Sequence, residues 1–173
     1  MTRSTLFVLG GARSGKSRYA QSRAEAMPGD PVFIATAEAF DDEMRERIAR
    51  HRADRDARWR TIEAPRKLPA AIDALTNANA VVLVDCLTLW VSNLLLADAD
   101  IPAAGRELCN AIARFEGTLI LVANEVGLGI VPDNALARQF RDAAGLLNQS
   151  VAAAAGEVVL LTAGLPLVLK PHG

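Results

Sequence analysis

The chain predicts a single α/β domain, residues 1–173, built on a mostly parallel sheet with helices on both faces. Short apolar runs rich in β-branched residues alternate with longer segments of helical period, and the first run leads directly into a glycine-rich loop. Continuous apolar runs, rather than polar–apolar alternation, are what strands covered on both faces require. Five runs qualify: Thr5 to Leu9, Val32 to Ala35, Ala80 to Val84, Thr118 to Ala123 and Glu157 to Thr162. A sixth, Leu165 to Leu169, follows the Ala163-Gly164 turn, which is too short for a parallel crossover and so predicts an antiparallel pair at the sheet edge. Helical patterns fill the gaps at Ser17 to Met27, Asp41 to Ala53, Leu68 to Leu75, Leu87 to Leu96, Ala103 to Phe115 and Asn134 to Ala155. No internal repeat or low-complexity linker divides the chain.

The loop after the first run reads Gly10-Gly11-Ala12-Arg13-Ser14-Gly15-Lys16-Ser17, a complete G-x-x-x-x-G-K-[ST] pattern between a strand and a helix. The bare pattern should arise by chance in about half a percent of chains of this length, and its placement narrows the reading further. Successive backbone N–H groups opening a helix N-terminus concentrate positive potential where phosphate oxygens can sit. Gly10 and Gly15 permit conformations that a β-carbon would obstruct. Lys16 can reach β- and γ-phosphates, and the Ser17 hydroxyl can join the shell of a Mg²⁺.

Composition removes other classes. At 51% hydrophobic and 23% charged residues, with a formal net charge of −1, the chain has a globular balance and no basic excess of the kind that drives nucleic-acid binding. Cys86 and Cys109, both in apolar surroundings and without C-x-x-C spacing, read as small core residues of a reduced protein. No apolar stretch approaches the length of a membrane span and no signal peptide is visible, so a cytoplasmic protein is expected. The sequon Asn148-Gln149-Ser150 falls within a predicted helix and reads as chance.

In open α/β sheets, ligands bind at the C-terminal ends of the strands. Asp85 ends Val81-Val82-Leu83-Val84, which suits either the second metal-site carboxylate of a phosphate-loop enzyme or a cap on the helix beginning at Leu87. Thr36-Ala37-Glu38 follow the second run and either line the cleft or form a simple polar turn. Asn124-Glu125 precede Val126-Gly127-Leu128-Gly129-Ile130-Val131-Pro132, too apolar for a solvated loop, which predicts packing near a ligand or a subunit neighbour.

The segment from Asp41 to Arg55 is the most charged part of the chain, with Glu43/Arg47 and Glu46/Arg50 at i,i+4. Only Met44 and Ile48 give it an apolar stripe, so it predicts a helix lying over the domain edge. His51 stands among Arg50, Arg52 and Arg55. A cationic environment opposes protonation, leaving the imidazole neutral and nucleophilic while arginines hold a phosphate against it. A plain surface histidine is the competing reading.

The loop Gly10 to Ser17, Asp41-Asp42-Glu43-Met44 running to Arg47-Ile48 and His51-Arg52, Trp59-Arg60-Thr61-Ile62-Glu63, Asn124 to Pro132, and Phe140-Arg141-Asp142 to Asn148-Gln149 together resemble the bifunctional adenosylcobinamide kinase/adenosylcobinamide-phosphate guanylyltransferase family of cobalamin biosynthesis. The resemblance spans nearly the whole chain, with its motifs in order. It implies a RecA-like phosphate-loop domain and two reactions. In the first, the terminal hydroxyl of adenosylcobinamide takes the γ-phosphoryl group of ATP or GTP. In the second, adenosylcobinamide phosphate takes GMP from GTP and pyrophosphate leaves.

By the same resemblance, His51 forms a covalent GMP-histidine and Lys16 serves phosphoryl transfer. Gly10, Gly11, Ala12, Arg13, Ser14, Gly15, Lys16 and Ser17 hold phosphates. Thr36, Ala37, Glu38, Arg52, Ala53, Asp54 and Arg55 line the nucleotide site, and Glu63 and Asp85 contact the nucleotide or its metal. Mg²⁺, with Ser17 and Asp85 as candidate ligands, is the expected cofactor, and a homotrimer is the implied assembly. Two other functions fit the loop alone: a monofunctional small-molecule kinase, which leaves His51 without a role, and a regulatory GTPase. The second is weakened because no N-K-x-D guanine motif occurs in the chain.

Overall fold

The computed structural model describes residues 3–38 and 57–172. The predicted helix Asp41–Ala53 lies outside the described residues. The remaining elements are β1 (Ser4–Gly10), α1 (Lys16–Glu25), β2 (Asp30–Ala35), β3 (Arg60–Glu63), α2 (Leu68–Asp73), β4 (Ala80–Asp85), α3 (Leu87–Leu96), α4 (Ile101–Arg114), β5 (Thr118–Asn124), α5 (Ala135–Ala154), β6 (Glu157–Thr162) and β7 (Leu165–Lys170). They form one seven-stranded sheet ordered β3-β2-β4-β5-β1-β6-β7, parallel throughout except for the β6–β7 hairpin.

The hairpin turns through Ala163 and Gly164, both left-handed at φ 52 and 78, as a two-residue turn between twisted strands demands. The expected antiparallel edge is therefore present. β3 is the strand the apolar pattern did not predict. Only Ile62 of its four residues is aliphatic and none is fully buried, because it is an edge strand paired on one side to β2.

Alternate residues of the central strands face opposite layers. Leu6, Val8, Val81, Leu83, Ile120 and Val122 pack beneath Ala20 and Ala24 of α1. Phe7, Leu9, Val82, Val84, Leu119 and Leu121 meet Leu68 and Ile72 of α2, Trp90 and Leu94 of α3, Leu108 and Ile112 of α4, and Leu147 and Val151 of α5. Both faces are covered, which explains the unbroken apolar runs.

Helix boundaries follow local caps. Asp100 accepts from the Ala103 N–H and Pro102 sits in the first turn, so α4 begins two residues before the predicted start. Asn134 accepts from the Ala137 N–H to open α5. Lys170 closes α5 from β7, donating to the carbonyls of Ala152, Ala153 and Ala155.

Of the two cysteines, Cys86 is buried as expected, and burial pushes its thiol up to about 11. Cys109 is only half-buried, which corrects the core assignment. The stripe of α4 that faces the sheet runs through Gly105, Leu108, Ala111 and Ile112, and Cys109 sits beside it.

α1 is pinned to the sheet by Arg23, which grips Glu157 with two bonds of 3.0 and 2.8 Å and donates to the Tyr19 hydroxyl at 2.8 Å. The bonds from Arg23 hold the Glu157 carboxyl below its ordinary range. A carboxylate with a lowered folded-state pKa stabilises the fold above its unfolded value, near 4.3, and the contribution fades as pH falls through the folded value. Glu157→Gln is expected to cost about 1–2 kcal/mol at pH 7, discounted for the half-exposed arginine. In paired urea titrations the gap to the native chain should close below about pH 4. An equal gap at pH 3 and pH 7 would contradict this assignment.

Candidate nucleotide-binding site

The phosphate loop leaves β1 at Gly10 and enters α1 at Lys16. A Cβ on Gly10 would lie 2.3 Å from Ser14 Oγ and 2.9 Å from the Leu161 carbonyl, so only glycine fits there. Gly15 caps α1 at φ 92, in the left-handed region that glycine alone adopts without strain, and no side chain caps that helix. The opening N–H groups of α1 are therefore left facing the loop, as an anion site requires. Gly11 has open space around its Cβ position.

Lys16 folds back to donate to the Gly11 carbonyl at 3.1 Å, which holds its ammonium at the loop. Ala12, Arg13 and Gly15 are exposed, Ser17 is half-buried, and Ser14 is buried with its Oγ making no hydrogen bond among the described residues. The β6–β7 turn braces the loop from beneath, where the Gly164 N–H donates to the Ser14 carbonyl at 2.8 Å.

The other candidate residues end neighbouring strands on the same sheet edge. β5 lies between β1 and β4, so Asp85 at the end of β4 stands two strand spacings, about 10 Å, from the loop strand. Asp85 is half-buried and is not the helix cap: Cys86 is, its Sγ accepting from the Leu89 N–H at 3.5 Å. Glu38 follows β2 and pairs with Arg66 at 3.3 Å, and Glu63 ends β3 exposed.

Thr36 differs from a cleft-lining residue. It is fully buried, and its hydroxyl donates to the Cys86 carbonyl at 2.7 Å while accepting from the Cys86 N–H at 2.9 Å. Asn93 of α3 donates to the carbonyls of Thr36 at 2.7 Å and Pro65 at 2.9 Å. Asn93 was not singled out in the sequence, although a buried amide seven positions after Cys86 in an apolar helix is a visible signal. His51, Arg52, Ala53, Asp54 and Arg55 lie outside the described residues.

The loop Val126–Pro132 leaves β5 beside the phosphate loop, the Glu125 N–H donating to the Gly10 carbonyl at 3.1 Å. Glu125 closes the start of this loop by accepting from the Gly127 N–H at 2.7 Å. Leu128 and Ile130 are 87% and 98% exposed on the single chain, which leaves them open to the ligand or subunit neighbour that the composition of this loop predicts. A depression of about 320 Å³ near Asp30, Arg58, Arg60 and Asn77 lies at the start of β2, at the opposite end of that strand from its junction with Thr36.

A loop of this geometry on the first strand of a parallel sheet, with an acidic residue two strands away, defines an α/β phosphate-loop protein. Solved structures agree on the fold alone. Protein PH0250 of Pyrococcus horikoshii OT3 has a TM-score of 0.59 at 10% identity, covering 99% of this chain and 88% of that one. The P4 protein of bacteriophage phi6, in complex with ADP, has a TM-score of 0.50 at 16% identity, with 94% and 52% covered.

The family model for cobinamide kinase / cobinamide phosphate guanyltransferase, CobU, matches residues 6–169, and the chain belongs to that family of transferases. The bifunctional adenosylcobalamin biosynthesis protein CobP of Pseudomonas aeruginosa is 47% identical, over 94% of this chain and 95% of its own length. The bifunctional adenosylcobalamin biosynthesis protein CobU of Escherichia coli is 44% identical, over 95% and 99%. The protein of the same name from Salmonella typhimurium is 43% identical over the same shares.

Proposed function

We propose that the protein phosphorylates adenosylcobinamide with ATP or GTP and then joins GMP from GTP to the product, giving adenosylcobinamide-GDP and pyrophosphate. The observation that carries this reading is the phosphate loop, strand-fed and glycine-capped, in a chain that its family model matches from residue 6 to 169. In the kinase step the substrate hydroxyl attacks the γ-phosphorus, its proton leaves to solvent or a base, and the nucleoside diphosphate departs. Lys16 and the N–H groups of the loop neutralise charge gathering on the phosphoryl oxygens.

In the second step a neutral His51 nitrogen attacks the α-phosphorus of GTP and pyrophosphate leaves. An oxygen of adenosylcobinamide phosphate then displaces the histidine, forming the new P–O–P bond. Dividing the displacement in two replaces one difficult step with two easier ones. Arg52 and Arg55, close to His51 in the sequence, would supply positive charge to the nucleotide phosphates.

The described residues hold no cluster of three or more carboxylate, histidine or cysteine ligands. Mg²⁺ fits this set, because the ion keeps several waters and takes much of its shell from substrate phosphates, with Ser17 and Asp85 as the protein's contribution. When bound it would neutralise charge on the phosphate oxygens.

By the family resemblance the same reading makes the protein a cytoplasmic homotrimer, and its apolar edge strand offers a surface for such an assembly. Leu165, Leu167, Val168 and Leu169 of β7 are all more than half exposed, a surface that a folded chain normally covers. No described helix is long and apolar enough to cross a membrane.

Incubating the protein with adenosylcobinamide, GTP and Mg²⁺ and following corrinoid masses tests the reading. Adenosylcobinamide phosphate should rise and fall as adenosylcobinamide-GDP and pyrophosphate accumulate in equal amounts. Arrest at the phosphate would mean a monofunctional kinase. GTP hydrolysis with no corrinoid product would mean a switch.

A further inference from the structure

Three strand ends that carry carboxylates are fastened together by two buried side chains. The Thr36 hydroxyl bonds both the N–H and the carbonyl of Cys86, the residue after Asp85. Asn93 reaches from α3 to the Thr36 carbonyl, two residues before Glu38, and to the Pro65 carbonyl, two residues after Glu63. Trp90, one turn before Asn93, donates to the Arg66 carbonyl at 2.9 Å, and Arg66 pairs with Glu38. Trp90 and Asn93 lie one turn apart on one face of α3, whose N-cap is Cys86, so a single capped helix holds the ends of β2, β3 and β4. Thr88 on the same helix accepts from the Asn124 N–H at 2.7 Å, extending the tie to β5 beside the phosphate loop.

Buried polar side chains in an apolar layer cost desolvation unless every bond is made, and a fully bonded network fixes backbone positions more tightly than apolar packing does. Thr36, 0% exposed, uses its hydroxyl as both donor and acceptor, and Asn93, 6% exposed, uses both N–H groups of its amide. The plain alternative, that they serve stability alone, predicts no selective effect on metal-dependent steps.

We propose that Thr36, through its clamp on Cys86, and Asn93, which holds the Thr36 carbonyl, are positioning residues that set the Asp85 carboxylate for the Mg²⁺ of the nucleotide. The inference rests on the assignment of Asp85 to the metal under the proposed function, and it gives Thr36 a role through the backbone rather than by contact with nucleotide. Thr36→Val keeps shape and removes the hydroxyl, leaving the Cys86 N–H without its partner and the Cys86 carbonyl with only its 3.3 Å bond from the Trp90 N–H. Thr36→Ser keeps the hydroxyl.

GTP affinity is read by tryptophan fluorescence with and without Mg²⁺, beside kcat and KM for both reactions and the unfolding midpoint. For the native chain, Mg²⁺ should tighten GTP binding. In folded Thr36→Val that gain should shrink about tenfold and kcat should fall by a similar factor, while Mg²⁺-free affinity stays within about threefold, and Thr36→Ser should restore both.

A folded valine variant that keeps the Mg²⁺ gain and kcat within threefold overturns the proposal. So does equal loss of Mg²⁺-free affinity, which marks a structural role, and so does a native chain whose GTP affinity ignores Mg²⁺. Should Thr36→Val not fold, Asn93→Ser takes its place under the same criteria. Intact Mg²⁺-linked GTP binding without corrinoid turnover would count against the proposed function and leave the clamp judged by the titration.

Discussion

Lys16→Met should remove both activities, lowering kcat for adenosylcobinamide phosphorylation by about a hundred- to a thousandfold, the usual cost of deleting one charge-stabilising donor from a phosphoryl-transfer site. The geometry supports an effect on catalysis rather than on folding. Lys16 is half-buried at the first position of α1 and its ammonium donates to the Gly11 carbonyl within the loop. Methionine preserves the length and helix propensity of the side chain, so the unfolding midpoint should stay within about 2 °C of native. Steady-state phosphorylation with saturating ATP measures the first effect and calorimetry the second. A variant that keeps kcat within threefold would remove Lys16 from the reaction.

His51→Ala should separate the two reactions. On the proposed mechanism GMP transfer runs through the His51 nitrogen, so formation of adenosylcobinamide-GDP should drop by at least about 10³-fold. Phosphorylation does not need that nitrogen and should change by less than about tenfold. The expected product of the variant is adenosylcobinamide phosphate, accumulating without onward conversion, and corrinoid chromatography reads it directly. Equal loss of both activities would assign His51 to nucleotide binding in general.

The parallel sheet, the phosphate loop and the antiparallel edge were legible because each is encoded locally. Val81-Val82-Leu83-Val84 is apolar on every residue because α1 covers one face and α3 to α5 the other. The loop's glycines read correctly at Gly10, where Ser14 and Leu161 leave no room for a Cβ, and at Gly15, which is left-handed. β3 was hidden because an edge strand covered on one side needs few apolar residues, and Arg60-Thr61-Ile62-Glu63 carries its strand character in backbone pairing to β2.

Thr36 illustrates the limit at the site. Its place after a strand marked it for the cleft, but whether a hydroxyl turns to the cleft or to a neighbouring strand end depends on β4, fifty residues away. The same holds for Val126–Pro132. Its apolar composition signals a partner, and Leu128 and Ile130 lie exposed on the single chain, yet composition does not say what covers them.

The central claim is that one phosphate-loop domain also makes a guanylyl-histidine. The direct test is incubation of native protein and His51→Ala with α-³²P-GTP and Mg²⁺, followed by denaturing electrophoresis and treatment of the labelled band with acid or alkali. The account predicts label on the native chain alone, lost in acid and kept in alkali as a phosphoramidate behaves. No label on a native chain that demonstrably binds GTP, or equal label on the variant, would contradict it.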